Sequence, residues 1–151
     1  MQKTVFILML MIGMSTRAQT LSTFRSTQDV QTTSKVIENL IKEMGLIYFE
    51  TVAHDQIAAA RGVQIGEMRE ILFEDAGLTT TLIECQPTTA LDLPLKILVW
   101  DELGDVYIAF IDPRFMKQRF MLQDCGEVVD DMGELLLKLA NDAVRAIREL
   151  D

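Results

Sequence analysis

His54 is the one histidine in this chain of 151 residues. Imidazole is the side chain whose ordinary pKa suits general acid or base work near neutrality. Such a base needs a group to orient its other nitrogen, and Asp92 or Asp112 could do so. Lys96 adds a cation in the same stretch. Each residue also has a plainer role. A lone histidine beside apolar residues is more often structural. Asp92, before Leu-Pro, can stabilise a turn. Asp112-Pro113 suits a helix start, with Asp as N-cap and Pro at the first position. No nucleophile elbow, phosphate-binding Gly loop, dinucleotide fingerprint or zincin motif occurs. No cofactor is therefore expected, and the sequence leans away from an enzyme.

Sulfur offers a second chemistry. Cys85 and Cys125 can form a disulfide in an oxidising compartment, which would stabilise by about 4 kcal/mol in the chain-entropy model. They can equally be two separate buried thiols. Met116, Met121 and Cys125 would suit Cu(I), but their spacing does not put all three on one helix face. Methionine is usually core filler. The acid pairs Glu74/Asp75 and Asp130/Asp131 lack the spacing of a calcium loop and read as solvated surface.

The elements that must position these groups show in the pattern. Met1 to Ala18 has the n-h-c order of a secretory signal: Lys3, an apolar run from Val5 to Met14, then Thr16-Arg17-Ala18 before Gln19. The apolar run is too short to span a bilayer, and no later segment is long and apolar enough. The expected product is a single domain from Gln19 to Asp151, exported to a bacterial periplasm or beyond, with no membrane insertion after cleavage. The formal charge is −9, and cleavage would remove Lys3 and Arg17 without removing an acid. Such a surface repels phosphate backbones, which argues against nucleic acid.

Leu21 to Arg25 reads as a strand. Ser26 to Asp29 offers an N-cap at Ser26 with an acid three residues on. Val30, Thr33, Ile37, Leu40, Ile41 and Met44 then share one helical face, closed by Gly45. Leu46 to Val52 reads as a strand, Ala53 to Arg61 as a short helix, and Glu70 to Phe73 as a strand. Ala76 to Pro87 is ambiguous: Thr79-Thr80-Thr81 favours strand, while the flanking Gly77 and Pro87 suit a helix. Leu95 to Trp100 and Val106 to Ile111 form a hairpin with Gly104 in a loop of about five residues. Trp100 is expected on the inner face of a central strand, where Trp100→Ala would cost about 3–5 kcal/mol. Pro113 to Leu122 reads as a short helical segment. A long amphipathic helix ends the chain, its stripe running from Val128 through Met132, Leu136 and Leu139 to Ile147. The fold class is α+β: a mostly antiparallel sheet of about five strands with helices on one face.

One stretch is specific enough to carry a resemblance. Pro87, Asp92-Leu93-Pro94-Leu95, Lys96, Leu98-Val99-Trp100, Gly104 and Asp112-Pro113 are similar to the signature of the family "domain of unknown function 302". His54 takes the place of the family's histidine, with Ala53 where its preceding Asp is expected and Asp55 following. Phe73-Glu74-Asp75-Ala76 and Thr79-Thr80-Thr81 depart from the family's Gly- and Pro-containing turns. An anionic group bound by that loop in relatives is not expected here. The likeness spans roughly Leu21 to Ala143, and the family has no settled activity.

Three functions remain open. The favoured one is an exported small-ligand-binding or accessory domain, using a pocket near His54, Asp92, Lys96 and Asp112. Its partner would be a small molecule or an envelope protein, with a homodimer conceivable. The second is an enzyme using His54 as general acid or base. The third is a thiol or metal redox protein built on Cys85 and Cys125.

Overall fold

The computed structural model describes residues 21–122 and 124–150. The expected leader, Met1 to Ala18, lies outside them. In chain order come β1 (Leu21–Ser26), α1 (Val30–Glu43), β2 (Ile47–Ala53), α2 (His54–Ala59), β3 (Met68–Glu74) and α3 (Ala76–Cys85). A 3₁₀ segment (Pro87–Asp92) leads to β4 (Leu95–Glu102) and β5 (Asp105–Ile111). A second 3₁₀ turn (Pro113–Phe115), α4 (Met116–Arg119) and α5 (Gly126–Arg148) complete the chain. The strands form one sheet in the order β1-β5-β4-β3-β2, and every pairing is antiparallel.

Alternation along each strand decides which face is covered. Ile71 and Phe73 of β3, Ile97 and Val99 of β4, and Ile108 of β5 are fully buried. They join Val30, Ile37 and Ile41 of α1 and Met132, Leu136, Leu139 and Ile147 of α5 in one core. Burying each large side chain contributes about 1.5–3 kcal/mol. The sheet thus has an inner face under helices and an outer face without the long helices.

Trp100 lies on that outer face, contrary to expectation. Val99 is 0% exposed, so its neighbour points the other way. Trp100 pairs across the sheet with Tyr107 and Met68. It stacks on Tyr107, ring centroids 5.3 Å apart. Leu95 to Trp100 is apolar except at Lys96, so hydropathy alone did not reveal its phase.

The hairpin turn is tighter than the sequence implied. The strands run through Asp101-Glu102 and Asp105, leaving Leu103-Gly104 as the turn. Both have positive φ, 57° and 91°. That matches the two-residue turns whose twist suits paired strands, and glycine takes the second position without strain. Asp101 Oδ1 accepts from Gly104 N at 3.3 Å.

Two caps also differ from expectation. Asp29, not Ser26, caps α1, its carboxylate accepting from Thr32 N at 2.6 Å. Ser26 is instead buried, sharing a 2.7 Å hydroxyl contact with Thr33. The ambiguous segment is helix α3, because Asp75 caps it at Leu78 N (2.9 Å) and Leu82 packs into the core. The threonines comply, and Thr81 Oγ1 donates back to Gly77 O at 2.9 Å.

Cys85, at the end of α3, is disulfide-bonded to Cys125, just before α5, with Cα atoms 6.4 Å apart. That distance lies within the usual range for a bridge.

Candidate functional site

The outer face carries a cleft of about 470 Å³. It starts where β4 begins and β5 ends, then runs over the sheet. Leu98, Trp100 and Ala109 form its floor. Leu91 and Asp92 of the first 3₁₀ segment, and Pro113, Phe115, Met116 and Arg119 after β5, supply its walls. Two links hold these walls near each other. Asp92 and Arg119 form an ion pair at 3.3 Å. The Cys85–Cys125 bridge joins the chain just before one wall to the chain just after the other.

Asp92, Lys96 and Asp112 therefore line one cleft. Asp112 also has the capping role read from the sequence. Its Oδ1 accepts from Arg114 N and Arg114 Nε, both at 2.9 Å. The hydrogen bond and then the charge of Asp112 raise the Arg114 pKa further above its ordinary value. α5 comes close because residue 133 is glycine: an added Cβ there would sit 3.2 Å from Arg114 Nε. Lys96 Nζ donates to Pro94 O at 3.0 Å.

His54 stands apart from the cleft lining and touches it through another residue. At the start of α2, its Nε2 lies 3.2 Å from Glu70 Oε2, and Glu70 lines the cleft. With Glu70 ionised, the imidazole donates. The carboxylate that orients His54 is thus Glu70, rather than Asp92 or Asp112. Asp55 is engaged by Arg69, which also reaches Glu67 at 2.8 Å. Glu70, Arg119 and Phe115 escaped the sequence analysis. Glu70 appears in the sequence only as the first residue of the strand read from Glu70 to Phe73.

The copper-like set comes apart in the fold. Cys125 is consumed by the disulfide, Met116 is a core residue at 4% exposure, and Met121 is 80% exposed. Among the described residues no group of three or more His, Cys, Asp or Glu could hold a metal ion.

A wider hollow of about 800 Å³ lies at the other end of the sheet, around Arg25, Asp29, Glu67, Asp101 and Asp105. Its polar groups already serve the fold: Arg25 pairs with Asp105, Glu67 with Arg69, and Asp29 caps α1. The smaller cleft combines an apolar floor with converging charges, which is the make-up of small-molecule sites.

Comparison with known proteins agrees on the fold. The crystal structure of an uncharacterized conserved DUF302 protein from Bacillus stearothermophilus superposes with a TM-score of 0.78 at 16% identity, covering 84% of this chain and 99% of that one. Two curated relatives are fluoride-specific ion channels. FluC 1 of Brucella suis biovar 1 (strain 1330) is 30% identical over 103 residues, 68% of this chain and 41% of that protein. FluC 2 of Brucella melitensis biotype 1 (strain ATCC 23456 / CCUG 17765 / NCTC 10094 / 16M) is 30% identical over 103 residues, 68% of this chain and 38% of that protein. The chain thus spans about two fifths of the length of these curated relatives. No helix among the described residues is long and apolar enough to cross a membrane. The model of "Domain of unknown function DUF302" matches residues 22–140, and the chain belongs to that family.

Proposed function

We propose that this domain is an exported accessory module that binds a small organic molecule in the cleft over Leu98, Trp100 and Ala109. The observation that carries this reading is the cleft itself: about 470 Å³, with an apolar floor and ionic groups converging from separate segments. Export draws support from the signal-like Met1 to Ala18 and from the disulfide, since such bridges persist in oxidising compartments. The accessory role draws support from the relatives. In them a region similar to this chain belongs to a longer protein named as an ion channel.

A second reading, acid/base catalysis by His54, is favoured by its 3.2 Å contact with Glu70 at the cleft edge. In that case Glu70 would hold the ring and the other nitrogen would exchange the proton.

Native mass spectrometry of protein matured from its own precursor tests the proposal. The expected spectrum begins at Gln19 and carries a noncovalent small-molecule adduct. Ala109→Trp, which fills the floor from a 2% exposed position, should lose the adduct while keeping the fold. A clean apo mass for the parent protein, or an adduct that survives Ala109→Trp, would contradict the cleft assignment.

A further inference from the structure

We propose that the cleft takes an anionic amphiphile, its apolar body lying on Leu98, Trp100 and Phe115 and its acidic head meeting Lys96 and Arg119. This deepens the small-molecule reading above and rests on it.

Charge is the first argument. The whole chain carries −9, whereas the cleft lining sets Glu70, Asp92 and Asp112 against Lys96 and Arg119 and is one negative charge from balance. Each carboxylate that lines it is already engaged: Glu70 by His54, Asp92 by Arg119, Asp112 by Arg114. Lys96 is engaged differently. Its ammonium donates to the Pro94 carbonyl at 3.0 Å and pairs with no carboxylate among the described residues. Arg119 has one ionic contact, to Asp92 at 3.3 Å, and a guanidinium has five N–H groups to give. Unmatched donors here are cationic, so the complementary ligand group is an anion.

The mouth supplies the second argument. Leu21, Leu91, Ile111 and Phe115 line it and are 47%, 79%, 65% and 42% exposed. Large apolar side chains gathered at one opening mark a surface that something covers. An inorganic anion would leave them wet. A neutral apolar molecule would cover them but gain nothing from Lys96. An organic cation would meet only carboxylates that already give one oxygen to a partner, and would gain nothing from Lys96.

Trp100 reports binding without a label, because it is the only tryptophan in the chain and lies in the cleft floor. Its emission is followed while decanoate, 1-decanol or decyltrimethylammonium is added below its micellar threshold. Decanoate should bind at least about tenfold more tightly than decanol, with the cation weakest. Lys96→Met keeps the apolar stem at an exposed position. It should weaken decanoate about tenfold and leave decanol unchanged. If decanol or the cation matches decanoate, or if Lys96→Met leaves decanoate binding intact, the anionic head is overturned while the cleft reading stands. If Trp100 answers none of the three probes, both fall.

Discussion

Replacing both bridged cysteines, Cys85→Ser with Cys125→Ser, should lower stability by about 4 kcal/mol. The magnitude follows from the sequence separation of 40 residues. Closing a loop of that length removes roughly 13 cal/mol/K from the unfolded ensemble, or about 4 kcal/mol at 25 °C. Unfolding entropy near 2.1 cal/mol/K per residue gives a domain of about 130 residues roughly 0.27 kcal/mol/K. The melting temperature should therefore drop by about 15 °C. Scanning calorimetry of the oxidised protein and the double variant measures this directly. Cys85 is exposed, so dithiothreitol should reach it and move the oxidised protein toward the variant. Reductant should leave the double variant unchanged. A drop smaller than about 5 °C would refute the loop-entropy reasoning. It would mean that residual structure already holds Cys85 near Cys125 in the unfolded chain, or that the bridge is not closed in solution. Because the bridge also ties the two cleft walls, the double variant should hold decanoate more weakly even at a temperature where it is folded.

Four other expectations follow from the packing and the ion pairs. Trp100→Ala should cost only about 1–2 kcal/mol in a denaturant titration, since it removes an outer-face stack on Tyr107 rather than a core side chain. Phe73→Ala, fully buried, should cost about 3–5 kcal/mol, and equal costs for the two would show the sheet faces to be misassigned. Gly66→Ala should destabilise by about 1–3 kcal/mol, because an added Cβ would lie 2.6 Å from the carbonyl oxygen of Asp101 and push β3 from β4; an unchanged melt would contradict that close approach. The hydrogen bond from Lys138, then the charges of Lys138 and Arg145, hold the Asp142 pKa below its ordinary value. A depressed carboxylate stabilises above its unfolded pKa and loses that contribution as pH falls through the folded one. Asp142→Asn should thus melt lower than the parent at pH 7 and converge with it in acid; a gap that persists at pH 2 would point to lost packing instead.

Most of the fold could be read because hydrophobic period and turn chemistry agree along much of the chain. Leu95 to Ile111 announced its hairpin through two apolar runs around Gly104, and Val128 to Ile147 announced α5 through its stripe. The sequence is ambiguous or misleading where local signals compete. The threonines near Thr80 favour a strand, and only the Asp75 cap and the burial of Leu82 make a helix of them. Trp100 reads as inward-facing because its strand is apolar on both sides. The outer side stays apolar to floor a cleft instead of turning polar toward water. The site was partly legible for a related reason. Asp92, Lys96 and Asp112 flank the hairpin and are close along the chain, so they meet at the strand ends. Glu70 and Arg119 arrive from β3 and α4, through strand order and wall packing that no local pattern encodes.

The central claim is that ligand enters the outer-face cleft, and a two-dimensional ¹H–¹⁵N spectrum with and without decanoate tests it most directly. Shifts should concentrate on Leu91 and Asp92, on Lys96 to Trp100 with the Trp100 indole, and on Ala109 to Arg119. Residues around Asp29 and Asp101, at the other end of the sheet, should stay unmoved. Shifts gathered at that other end, or spread evenly over the surface, would contradict the account.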